Sequence, residues 1–161
     1  MSYYPALLAE ACGKAGQAKA GLSVLAETLP PQLTPEEHWW EAEKYRLKGE
    51  LTLQKSKTSL RQVSNKSQAS QDKSEVPNAQ SLTSKAQSEA EACFLKAIEV
   101  AQRQQAKSLE LRATMSLTRL WQQQDKHHVA RNTLSEIYNW FTEGFDTKDL
   151  QEAKALLAQL T

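Results

Sequence analysis

Ala90-Glu91-Ala92-Cys93-Phe94-Leu95-Lys96-Ala97 is the stretch on which the fold turns. Ala90 and Ala97 bracket Phe94 at spacings of four and three, the intervals that bring side chains to one face of an α-helix. Small residues on either side of a large one let a second helix approach closely, while the ring fills the space between successive helix pairs. Glycine and proline number only five each in 161 residues, too few for the many tight turns of an all-β fold. An all-α chain is the expectation.

The same spacing recurs on both sides. Gly21, Leu25 and Thr28 repeat it upstream, and Ala130, Leu134 and Ile137 repeat it downstream. A large residue stands thirteen positions before the small one in each case, Leu8 before Gly21 and Leu117 before Ala130. For Ala90 the matching residue is Leu47, at 43 positions, an excess of 30. Leu8 to Leu47 spans 39 residues, and Leu47 to Leu117 spans 70, or 40 without the same excess. Two intervals thus agree on a repeat of 39 to 40 residues, interrupted once.

The interruption is compositional as well. Nine of the 34 residues from Lys55 to Ser88 are serine, and the large apolar residues Leu60, Val63, Val76 and Leu82 follow no period. Six cations against two carboxylates leave a local charge of +4. Such a segment buries too little apolar surface to offset its ordering entropy. A flexible insertion at 55–86 within one domain spanning 3–161 is therefore expected.

Helix boundaries follow from local signals. Helices are expected over Tyr3–Gly16 and about Gln17–Leu29, where Pro30 and Pro31 end the second. Thr34-Pro35-Glu36-Glu37 is a capping box for a helix to about Gln54, and Ser84 with Gln87 suggests another for a helix to about Gln105. Further helices are expected over Ser108–Gln124 and Val129–Glu143, the latter closed by Gly144. Asp146 or Thr147 caps a last helix with Leu150, Ala153, Leu157 and Leu160 on one face.

Several function classes lose ground on composition. The net charge of +1 lacks the basic excess of a nucleic-acid binder, so no nucleic-acid partner is expected. Cys12 and Cys93 are too few for a disulfide framework or zinc cluster and read as buried free thiols in a reducing cytoplasm. No run approaches a membrane span, and Glu10, Lys14 and Lys19 interrupt any signal-peptide core. Adjacent His127 and His128 project about 100° apart on a helix and rarely share an ion, so with His38 they read as exposed turn residues. No P-loop or glycine-bounded nucleophile turn is present. Neither catalysis nor a cofactor or metal is expected. Trp40, Trp121 and Trp140 read as core, while Trp39 divides evenly between core and ligand contact.

With these residues in hand the chain resembles the tetratricopeptide-repeat proteins. Within that class it is similar to the C-terminal repeat region of large bacterial signalling proteins that join a cyclase or kinase to a P-loop ATPase. The resemblance rests on Trp39-Trp40-Glu41-Ala42-Glu43, on Tyr45-Arg46-Leu47-Lys48-Gly49-Glu50-Leu51 and on Ser108-Leu109-Glu110-Leu111-Arg112. Leu120-Trp121 and Trp140-Phe141-Thr142-Glu143-Gly144-Phe145-Asp146-Thr147 extend it. It implies a right-handed solenoid of about three helical pairs plus a C-terminal capping helix. It also implies a scaffold that binds a protein or peptide, with any catalysis in upstream domains.

The candidate contacts are Tyr45, Arg112, Arg119 and Gln123. Arg112, Ser116, Arg119 and Gln123 run at spacings of four, three and four along one helix side. A solvated face is the plain reading of that stripe. The functional one is a groove wall offering two guanidiniums to an acidic or C-terminal carboxylate. The alternative use of the scaffold is docking on its own upstream cyclase or ATPase domains. Tyr3, Tyr4, Pro5 and Leu7 give the N-terminal edge a surface suited to weak self-association, while Lys148, Gln151, Glu152 and Lys154 suit a polar cap.

Overall fold

The computed structural model describes residues 3–29, 40–67 and 79–160, and within them there are seven α-helices and no strand. They are α1 (Tyr3–Lys14), α2 (Ala18–Thr28), α3 (Glu41–Ser67), α4 (Ala79–Arg103), α5 (Lys107–Gln123), α6 (His127–Tyr138) and α7 (Lys148–Gln159). Pro30, Pro31, the Thr34–Glu37 capping box, His38 and Trp39 lie outside the described residues.

Three connections share one device. The chain leaves α1, α4 and α5 through a residue with positive φ, Gly16 at 74°, Gln105 at 55° and Asp125 at 59°. In each case the next amide reaches back five residues: Gln17 to Cys12 at 2.8 Å, Ala106 to Ala101 and Lys126 to Trp121 at 2.9 Å. These bonds satisfy carbonyls that the helix end would otherwise leave open, and only glycine takes the left-handed conformation without a β-carbon penalty.

Packing follows the spacing read from the sequence. Ala90, Phe94 and Ala97 are buried, as are Leu25, Leu47, Leu117, Ala130, Leu134 and Ile137. Each large side chain taken fully from water contributes about 1.5–3 kcal/mol before entropy is counted. Helices α1, α3, α5 and α7 touch one another in series, and α2, α4 and α6 each pack between two neighbours of that row. Fully buried Lys44 ties α2 to α3 by donating to the Thr28 carbonyl at 2.9 Å.

Several expectations are corrected. Leu8 is 53% exposed; α1 buries Ala6 and Ala9 instead, so its register is one position off and Tyr4, Leu7 and Leu8 face outward. The serine-rich segment expected as an insertion over 55–86 is helical at both ends, because α3 and α4 pack on each other as a long antiparallel pair. Ser84 lies inside α4, its hydroxyl donating to Gln80 one turn back, and caps nothing. Helix α6 stops at Tyr138 rather than Glu143, and the chain bends so that Phe141 reaches the cluster around Leu111, Leu134 and Leu150. That bend leaves Trp140 57% exposed, against the core role expected, with Lys107 Nζ 5.6 Å from its ring centre. Thr147 stands at the start of α7, but its hydroxyl donates to the Gly144 carbonyl at 2.7 Å rather than accepting from the helix. Cys12 and Cys93 are free thiols but half-buried.

Candidate interaction groove

The row α1, α3, α5 and α7 encloses a groove of about 500 Å³. Ala9, Leu47, Leu51 and Met115 form its apolar floor, because on each helix these positions fall just inside the polar edge. Five cations line it, Lys14, Arg46, Arg112, Arg119 and Lys148, together with four carboxylates, Glu10, Glu50, Asp149 and Glu152. A cleft of about 250 Å³ continues from it between α3 and α5, sharing Glu50, Gln54, Ser116 and Arg119 and adding Lys57 and Gln123.

Arg112, Arg119 and Gln123 are thus brought together along one wall, as the stripe suggested. Tyr45 is not with them. It packs partly buried against Ala42, Val100 and Ala101, on the α4 side of α3. Arg46, one residue and about 100° further round the helix, takes the groove position instead. Lys148 and Glu152, read from the sequence as part of a polar cap, also face the groove.

A network that the stripe did not reveal organises the floor. Arg46 donates to both oxygens of Glu43, Nε to Oε2 at 2.9 Å and Nη2 to Oε1 at 2.7 Å, and Nη1 donates to Glu50 at 2.5 Å. Ser116 of α5 donates to the same Glu50 oxygen at 2.8 Å, locking α3 to α5. Burial disfavours the Arg46 charge, but the hydrogen bonds to Glu43 and the pull of Glu50 outweigh it and raise its pKa above the ordinary arginine value. The signal was in the sequence: Glu43, Arg46 and Glu50 stand at i, i+3 and i+7, the spacing of helical ion pairs. Glu10 is held below the usual carboxylate range, mainly by its hydrogen bond with Lys14, with burial opposing and Arg112 and Arg46 assisting.

Arg112 differs from its neighbours. Its Nη1 lies 3.3 Å from Glu43 Oε1, an oxygen already bonded to Arg46, and its Nε lies 3.9 Å from Asp149. Both are ion pairs with no hydrogen bond from Arg112 among the described residues, and its guanidinium is one-third exposed. Arg119 by contrast donates to Glu152 at 3.1 Å near the surface. The chemistry on offer is charge-assisted hydrogen bonding to an oxyanion. His127 and His128 lie exposed at the start of α6, and neither lines the groove. Among the described residues no helix is long and apolar enough to cross a membrane. No protein-family model matches this chain, and no curated protein or solved structure matches it either.

Proposed function

We propose that this chain is a protein-interaction scaffold of the tetratricopeptide-like kind. In this reading α1–α2, α3–α4 and α5–α6 are three stacked pairs in a right-handed solenoid, and α7 closes the stack. The groove holds an extended segment of a partner protein that presents a carboxylate to Arg112. The observation that carries the reading is the state of Arg112, a partly desolvated guanidinium on the groove wall that makes no hydrogen bond among the described residues. A charge-assisted bond from such a group contributes roughly 1.5–3 kcal/mol.

Fluorescence anisotropy with a labelled acidic decapeptide tests this. Arg112→Ala weakens binding by about tenfold or more, on the scale of that bond. Lys154→Glu, on the outer side of α7, leaves it unchanged. Affinity indifferent to Arg112→Ala would return the stripe to a solvated face.

A further inference from the structure

Helix α3 runs on past the end of α5. Glu43 faces Arg112 and Glu50 bonds Ser116, so α3 and α5 run in the same direction side by side. Lys57 and Gln123 line the last shared cleft. Helix α5 stops at Gln123, but α3 continues ten residues past Lys57 to Ser67, a projection of roughly 15 Å. Lys57 and Arg61, four residues apart on one side of this helix, are both exposed.

Charge compensation changes along the way. Lys14, Arg46, Arg112, Arg119 and Lys148 each lie within ion-pair distance of a carboxylate. Lys57 and Arg61 pair with none among the described residues, and the helical stretches Leu51–Ser67 and Ala79–Ser88 contain no Asp or Glu, while Asp72 and Glu75 lie between them, outside the described residues. Among the described residues, an occupant therefore meets balanced charge between α1 and α7 and unpaired cations, Lys57 and Arg61, on α3 beyond them.

Resting on the groove reading above, we propose that the occupant is an acidic polypeptide segment whose cluster of carboxylates lies on Lys57 and Arg61. Arg46, level with Arg112, stands eleven and fifteen residues before these cations, a distance of roughly 16–22 Å along α3. An extended chain covers that in about five to seven residues. A polypeptide fits better than a nucleic acid because a uniform polyanion would meet Glu10, Asp149 and Glu152 over the rest of the groove.

The probe is a fluorescein-labelled Gly-Ser peptide with one glutamate placed six residues from a run of three. Its partner peptide carries glutamine in place of the run. The full chain is expected to bind the first more tightly, and Lys57→Glu with Arg61→Glu weakens that binding by about twofold to thirtyfold, the scale of two exposed charge contacts. Lys57→Gln with Arg61→Gln should give a smaller loss in the same direction, and circular dichroism confirms the fold of each. Loss with Arg112→Ala but not with either double variant overturns the extension and leaves the groove reading standing. No loss with any of them, or no binding by the parent chain, overturns both. A twelve-base-pair DNA duplex that binds more tightly than the peptide, dependent on Lys57 and Arg61, overturns the polypeptide assignment.

Discussion

A β-carbon placed on Gly49 would stand 2.5 Å from Cε1 of Phe94, so α3 and α4 meet there backbone against ring. Two more ring atoms would lie at 2.9 Å, and the ring is 1% exposed, so it has nowhere to go. Gly49→Ala gains about 1 kcal/mol of helix propensity but incurs an overpacking cost of about 1–3 kcal/mol. The expected net is destabilisation by about 1 kcal/mol in urea unfolding, partly relieved when Phe94→Leu is added. A Gly49→Ala chain more stable than its parent would show that the two helices do not meet at this point.

How legible this was differs from helix to helix. Ala90, Phe94 and Ala97 were readable because their spacing and their size contrast say the same thing. Gly16 announces its turn, but Gln105 takes positive φ with no local signature, held by the backbone bond from Ala106 to Ala101. The outer turns of α3 and α4 were unreadable as helix, since their serines have modest propensity and the support comes from the other helix. In the groove, Arg112, Arg119 and Gln123 share a face that period alone locates. Tyr45 could not be told from Arg46, because one residue is about 100° of rotation and the α3 face that meets α4 is not marked by polarity.

The α1 register supplies a direct comparison. Leu25 is fully buried and Leu8 is 53% exposed, though both were read as repeat positions. Leu25→Ala is expected to cost about 2–5 kcal/mol and Leu8→Ala less than about 0.5 kcal/mol. Equal losses in chemical denaturation would put Leu8 back in the core.

Cys93 gives a pH-dependent test. Burial pushes its thiol pKa up, Lys48 opposes this and Glu89 adds to it. A folded-state pKa above the unfolded one means that the contribution to stability is complete below the unfolded value and is lost as pH rises through the folded one. Iodoacetamide labelling of Cys93, followed by mass spectrometry, should therefore reach half-maximal rate at higher pH in the folded chain than in urea. Coincident profiles would show that the thiol is not desolvated.

The last test separates stability from binding at the groove floor. Glu43 is 5% exposed, accepts two hydrogen bonds from Arg46 and is also the carboxylate nearest Arg112 in the ion pairs of that wall. Removing one partner of a buried pair costs about 3–5 kcal/mol because it leaves a charge uncompensated. Here Arg46 keeps Glu50, so Glu43→Gln should fall at or below the lower end of that range. The same change removes the carboxylate that competes for Arg112, and a peptide carboxylate should then bind more tightly, by about threefold to tenfold, the scale of an ion pair whose guanidinium is one-third exposed. Thermal unfolding and peptide anisotropy should thus move in opposite directions. A simultaneous loss of stability and affinity would mean that Glu43 holds Arg112 in its binding position rather than competing for it.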